Sequence, residues 1–91
     1  RVWATADNPR TESQGNIFRD MRKGLAKGAK VSFVEDRRRA ISLALDAARE
    51  KDTVLIAGKG HETFQEVQYT AIPFDDRLVA GELLSAKLLA V

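Results

Sequence analysis

DTVLIAGKGHE, residues Asp52–Glu62, gives the clearest indication of how this chain folds. Its first half is an unbroken apolar run, which is typical of a parallel β-strand covered on both faces, and we predict a central strand over Thr53–Ala57. The run stops abruptly at Gly58, where a polar loop begins. Ligands of open α/β sheets bind at the carboxyl ends of the strands, so this loop is a candidate site.

A second strand followed by a polar loop opens the chain. Val2–Ala6 (VWATA) predicts a short buried strand, and Asp7, Asn8, Pro9 and Arg10 follow it directly. Pro9 disfavours helical geometry at Asn8, which indicates a turn. If the two strands are parallel neighbours, the two loops lie at the same edge of the sheet.

The other elements are predicted from apolar periodicity and capping residues. The first half of the chain contains a helix that begins near Gln14–Asn16 and is ended by Gly24 or Gly28, a strand at Val31–Val34, and the N-cap Asp36 of a second helix that runs to about Lys51. The second half contains an ambiguous extended segment over Phe64–Ile72 and a final helix, capped by Asp75 or Asp76, with Ala80, Leu84, Leu88 and Val91 on one face. This order predicts the α/β class: a three-layer sandwich with a Rossmann-like, mostly parallel sheet, flanking helices and right-handed crossovers.

Composition restricts the classes of function. The 91 residues allow one domain, and 15 basic against 13 acidic residues give a net charge of +2, which argues against nucleic-acid binding. The absence of cysteine excludes disulfides and thiolate metal sites and is compatible with the cytoplasm. No apolar run approaches the roughly 20 residues that span a bilayer. Because a strand follows Arg1 with no polar lead-in, we expect a piece of a longer protein.

The two loops offer recognition chemistry, with a simpler alternative for each. Gly58–Glu62 lacks the glycine spacing and the Ser or Thr of a phosphate loop, but its glycines allow close approach of a ligand and Glu62 can pair with an amine. Arg10 suits a bidentate contact with a ligand carboxylate, and Asn8 can donate and accept. The alternatives are a tight turn with Lys59 and Glu62 solvated, and a capped turn with Arg10 paired to a surface acid.

Three further features are explained without a ligand. His61 is the only histidine, so neither a histidine metal cluster nor a Ser-His-Asp arrangement is indicated. Arg37–Arg39 occupy a first helical turn, where the helix dipole disfavours cations, so an acid near them or a solvated face is expected. Asp75 and Asp76 are interpreted as helix caps and not as an acid-base pair.

The motifs taken together resemble the carboxy-terminal domain of the Mur ligases, in the branch that adds meso-diaminopimelate. The resemblance covers the whole chain and rests on motifs in the family's order and spacing: TADNPRTE (5–12), EDRRRAI (35–41), DTVLIAGKGHETFQ (52–65) and IPFDDR (72–77). It implies that residues 1–91 are a single partial domain, incomplete at its amino-terminal side. One strand and a further substrate-binding arginine would be missing.

The resemblance also implies the site and the reaction. The residues that bind meso-diaminopimelate would be Asp7, Asn8, Pro9, Arg10, Gly58 and Glu62, with no catalytic or metal-binding residue in this chain. In the full-length ligase, the uridine nucleotide would bind to an amino-terminal domain, and ATP and Mg2+ would bind to a central domain. The ligase forms an amide bond to a UDP-sugar dipeptide during peptidoglycan synthesis in the cytoplasm. We expect the chain alone to be inactive. The alternatives are a free-standing, non-catalytic α/β module that binds a small anion or nucleotide, and a lysine-adding ligase.

Overall fold

The chain folds as an α/β structure built on one parallel strand pair. The computed structural model describes residues 1–8, 13–59, 61–67 and 70–89, without the side chains of 67, 88 and 89. The elements in chain order are β1 (Val2–Thr5), α1 (Gln14–Lys23), β2 (Val31–Val34), α2 (Arg37–Ala47), β3 (Phe64–Val67), β4 (Thr70–Pro73) and α3 (Asp76–Leu89). β1 pairs in parallel with β2, and β3 pairs with β4 as a separate antiparallel hairpin. The predicted β-α-β-α order and the α/β class are confirmed.

Helix α1 connects the two parallel strands, and its bounds, Gln14–Lys23, agree with the predicted start near Gln14–Asn16 and the predicted end at Gly24. The Ser13 hydroxyl accepts a hydrogen bond from the Asn16 amide at 3.1 Å, and Gly24 is the C-cap. A serine N-cap satisfies one of the backbone amides that have no partner inside a helix. Phe18 is buried and packs edge-on against Phe33 of β2, with ring centroids 5.2 Å apart. This contact attaches the helix to the sheet.

Helix α2 packs on the parallel pair through small and branched side chains. Asp36 caps it by accepting from the Arg39 amide at 3.1 Å, and Ala40 and Ile41 are buried. The helix ends at Ala47, four residues before the predicted Lys51. The backbone amide of Arg49 donates to the carboxylate of Asp52 at 2.8 Å instead of continuing the helix, because a short acidic side chain competes with the backbone for its donors.

The prediction of a central strand over residues 53–57 is wrong for the described structure. No strand forms there, and Leu55 is 87% exposed. A groove of about 410 Å3 is lined by these residues, by the edge of β1 and by Ala40, Ile41 and Ala44 of α2. Residues 53–57 therefore do not reach β1, and among the described residues they have no partner strand to complete a ladder. An apolar run can satisfy the pattern of a strand without the hydrogen-bonding neighbour that a strand requires.

The second half of the chain adds the hairpin and α3. Within the ambiguous segment 64–72, the described residues form two antiparallel strands, β3 and β4, and β4 extends to Pro73. Asp75 is the residue that caps α3, since its carboxylate accepts from the Arg77 amide at 2.9 Å. Val79 is buried, and α3 lies along α2, with Arg38 and Glu82 3.0 Å apart. The side chain of Leu88 and all of Val91, both expected on the apolar face of this helix, lie outside the described residues.

Candidate functional site

The two polar loops identified from the sequence lie against each other, joined by Asn8. Its amide nitrogen donates to a carboxylate oxygen of Glu62 at 3.1 Å, and its amide oxygen accepts from the backbone of Glu66 at 2.7 Å. The side chains of Asn8 and Glu62 are both half-buried. A carboxylate has about four acceptor positions, so Glu62 can accept from an amine as well as from Asn8.

The two loops also meet at their first residues, Asp7 and Gly58. Gly58 has φ +112°, and a β-carbon at this position would lie 3.2 Å from Oδ2 of Asp7. Residues with a side chain rarely adopt this φ. Glycine at position 58 therefore allows both the turn and the approach of the two loops.

Lys59 is buried beneath this contact, contrary to the alternative in which it is solvated. Its side chain is 0% exposed and its ammonium lies 3.2 Å from Oδ1 of Asp7. The geometry is that of an ion pair and not of an aligned hydrogen bond, since Oδ1 has no hydrogen-bonded partner among the described residues. The ammonium also donates to the carbonyl of Phe64 at 2.6 Å and lies 5.8 Å from the ring of Phe74. Lys59 is thus committed to the protein, and this loop does not fit the phosphates of ATP.

The remaining predicted site residues are only partly described. Pro9 and Arg10 lie outside the described residues, so their places relative to Glu62 stay a prediction. His61 is exposed, as expected of a loop residue without a structural partner. The structure therefore brings together Asp7, Asn8, Gly58 and Glu62, which are four of the six candidate residues.

Arg37 and Asp76 form a buried ion pair whose two members the sequence interpretation did not connect. Arg37 is 3% exposed, whereas either a nearby acid or a solvated face was expected for Arg37–Arg39, and Asp76 was interpreted as a helix cap. Two nitrogens of the guanidinium donate to the two carboxylate oxygens of Asp76, at 2.8 and 2.7 Å. The available signal was the cation in the first turn of α2, where the helix dipole is unfavourable unless an acid lies nearby. These hydrogen bonds raise the pKa of Arg37 more than burial lowers it, so the guanidinium stays charged.

Gln65 is a second residue near the site that no sequence pattern predicts. It is 7% exposed, and its side-chain amide donates to the carbonyl of Ala6 at 3.4 Å. The hairpin β3–β4 is in this way attached to the end of β1. A glutamine in a short strand has no pattern that distinguishes such a role from a solvated side chain.

The described residues contain neither a metal-ligand cluster nor a membrane-spanning helix. Within residues 1–8, 13–59, 61–67 and 70–89, no three His, Asp or Glu side chains are grouped closely enough to hold a metal ion. In the same ranges, no helix combines the length and the apolar character that a membrane span requires.

The described residues form an α/β fold in which two polar loops meet at the ends of neighbouring chain segments. Comparison with known proteins gives the family. Residues 1–60 match the family Mur ligase, glutamate ligase domain, and the chain belongs to it.

Three curated relatives carry the same functional name. UDP-N-acetylmuramoyl-L-alanyl-D-glutamate–2,6-diaminopimelate ligases of Halalkalibacterium halodurans, Pseudomonas syringae pv. tomato and Cytophaga hutchinsonii are 47%, 45% and 48% identical to this chain over 91%, 93% and 91% of its length. The chain spans only 17–18% of these relatives. A solved structure of a ligase with the same name superposes with a TM-score of 0.88 at 40% identity, covering 96% of this chain and 18% of that one.

Proposed function

We propose that this chain is the amino-acid-binding part of an ATP-dependent ligase that adds meso-2,6-diaminopimelate to UDP-N-acetylmuramoyl-L-alanyl-D-glutamate in peptidoglycan synthesis. The contact of Asn8 with Glu62 at 3.1 Å is the observation that carries the proposal, because it places the two loops at one site. The names of the relatives support the choice of ligand.

The chemistry of the loops suits an amino acid with a charged group at each end. Glu62 and the Gly58 carbonyl would accept from the ammonium of diaminopimelate, while the guanidinium of Arg10 would hold its carboxylate in a bidentate contact. Asp7, Asn8 and Pro9 would fix the loop that carries Arg10. Lysine lacks the carboxylate that Arg10 would bind, so this contact would exclude lysine.

The contribution of this chain to the reaction would be positioning. Holding the attacking amine beside an activated carboxyl group lowers the activation barrier of the reaction by several kcal/mol through proximity alone. ATP and Mg2+ would bind in parts of the ligase outside this chain, acting in the cytoplasm. The 91 residues would then bind diaminopimelate without ligating it.

The proposal is tested in a chimeric ligase in which this chain replaces the matching part of the Halalkalibacterium halodurans relative. We expect product with meso-diaminopimelate and little with lysine. Arg10→Ala should raise the KM for diaminopimelate by roughly 10- to 100-fold, since a hydrogen-bonded charge contributes about 1.5–3 kcal/mol. Arg38→Ala is the matched control, because Arg38 is exposed and pairs with Glu82 on the surface.

Two results would contradict the proposal. One is a folded chimera that uses lysine as well as it uses diaminopimelate. The other is an equal loss for both amino acids in Arg10→Ala. Calorimetry with the 91-residue chain and each amino acid gives the same discrimination without the reaction.

A further inference from the structure

The guanidinium of Arg37 joins the two chain segments that lead into the site. One terminal nitrogen donates to the carbonyl of Ala6 at 3.3 Å, and the other donates to the carbonyl of Ala57 at 3.1 Å. Ala6 immediately precedes Asp7, and Ala57 immediately precedes Gly58. One side chain therefore contacts the last carbonyl before each loop.

Asp76 fixes the orientation of this guanidinium. It accepts from two of the nitrogens of Arg37, and it lies in the first turn of α3, where a negative charge is favoured by the helix dipole. A planar guanidinium held on one side by a carboxylate presents its remaining donors in fixed directions. Those directions point to the carbonyls of Ala6 and Ala57.

We call the contacts of Arg37 with the carbonyls of Ala6 and Ala57 the Arg37 bridge. No strand pairing in the described structure joins the same two segments. Residues 53–57 form no ladder with β1 in the described structure, and a groove lies between them. The separation of the two segments is consequently set by side chains, and Arg37 is the side chain that contacts a backbone carbonyl of each. A lysine at position 37 could keep an ion pair with Asp76. It lacks the planar fork of donors by which arginine reaches two carboxylate oxygens and two carbonyls at once.

We propose that Arg37, oriented by Asp76, is a positioning residue that sets the spacing of the Asp7–Asn8 loop and the Gly58–Glu62 loop and so determines the affinity of the site for its amino acid. The kinetic part of this inference rests on the proposed function. The structural part does not, because the spacing of the loops can be measured without ligand.

The structural test is hydrogen exchange of the ligand-free 91-residue chain. The amide of Glu66, which donates to Asn8, reports on the contact between the loops, and β2 reports on the rest of the fold. Arg37→Lys should accelerate exchange in 61–67 by about tenfold relative to β2, because opening of the bridge is local. Equal acceleration in both regions would mean that Arg37 only stabilises the fold and would overturn the inference.

Arg38→Lys is the matched control for this test. It makes the same change one residue further along α2, at a half-exposed side chain, and should leave both exchange rates unchanged. If Arg37→Lys does not fold, Asp76→Asn replaces it, since it keeps Arg37 and the size of its partner. Unchanged exchange in 61–67 of a folded variant would also overturn the inference.

The kinetic test uses the chimeric ligase described above. Arg37→Lys should raise the KM for diaminopimelate about tenfold and leave the KM for ATP within about twofold, a split that general destabilisation would not produce. An unchanged KM for diaminopimelate would overturn the inference. If the unsubstituted chimera does not use diaminopimelate while the exchange result is as expected, the proposed function is wrong. The structural role of Arg37 is then still supported.

Discussion

Asn8→Asp tests whether the two loops are held together as the structure shows. The substitution keeps the size of the side chain and the oxygen that accepts from Glu66 at 2.7 Å. It replaces the group that donates to Glu62 with a second carboxylate oxygen. Only the interaction between residue 8 and Glu62 changes, from attractive to repulsive.

The magnitude follows from the distance between these groups. Two unit charges 3.1 Å apart repel by about 5 kcal/mol at an effective dielectric constant of about 20, and by about 1 kcal/mol in water. Because both side chains are half-buried, we expect an intermediate cost of about 2 kcal/mol, with about 1 kcal/mol more for the lost hydrogen bond. The free energy of unfolding at pH 7 should therefore fall by roughly 3 kcal/mol.

The cost should depend on pH in a defined direction. Repulsion raises the pKa of the introduced carboxyl group above its unfolded value of about 4. A carboxyl group with a raised folded-state pKa destabilises the protein at neutral pH, and its cost disappears as the pH falls below the unfolded value. The difference between Asn8→Asp and the parent chain should thus be largest at pH 7 and should shrink toward pH 4.

Urea unfolding monitored through the single tryptophan, Trp3, measures this difference at each pH. Asn16→Asp is the matched control, because it makes the same change in the first turn of α1, where a negative charge contributes about 0.3–1 kcal/mol of stability. A variant Asn8→Asp as stable as the parent chain at pH 7 would show that Asn8 and Glu62 are not in contact. A loss that does not change with pH would show that the cost is not electrostatic.

Two further substitutions test the local geometry. Gly58→Ala should lower the free energy of unfolding by about 1–2 kcal/mol, because it places a β-carbon at φ +112° and 3.2 Å from Asp7; urea unfolding measures this, and no loss would exclude the strained turn. Gly15→Ala is its control and should stabilise α1 by up to about 1 kcal/mol, since nothing lies within 4 Å of the added carbon. Asp36→Ala should cost about 1 kcal/mol by removing the N-cap of α2, whose carboxylate accepts from the Arg39 amide, and thermal unfolding that matches the parent chain would contradict that role.

The elements and the approximate place of the site could be predicted from the sequence because they depend on local rules. Asp36 precedes a run with helical periodicity, and its carboxylate does cap α2. Asp7–Asn8 and Gly58–Glu62 each follow an apolar segment, and that placement predicts that the two loops meet if both segments are neighbouring parallel strands. The loops do meet in the described structure, although residues 53–57 form no strand.

The partners of the buried charges could not be predicted, because they are distant in sequence. Arg37 and Asp76 are 39 residues apart, and each has an adequate local interpretation, as a solvated cation and as a helix cap. Lys59 likewise has the appearance of a solvated loop residue. Local patterns identify which side chains lie near a helix end or a turn, but they do not distinguish a charge facing water from one that satisfies a distant partner.

The two buried cations share a task that explains their burial. Lys59 donates to the carbonyl of Phe64, and Arg37 donates to the carbonyls of Ala6 and Ala57. Each of these three carbonyls lies next to one of the loops and receives a charged donor, and an unsatisfied buried polar group would cost roughly 1–3 kcal/mol. A cation paired with its own carboxylate supplies that donor without using a backbone amide. The amide of Glu62 donates to the carbonyl of Lys59 at 3.0 Å within its own loop, so in the described residues the two loops are held together by side chains and not by a backbone ladder.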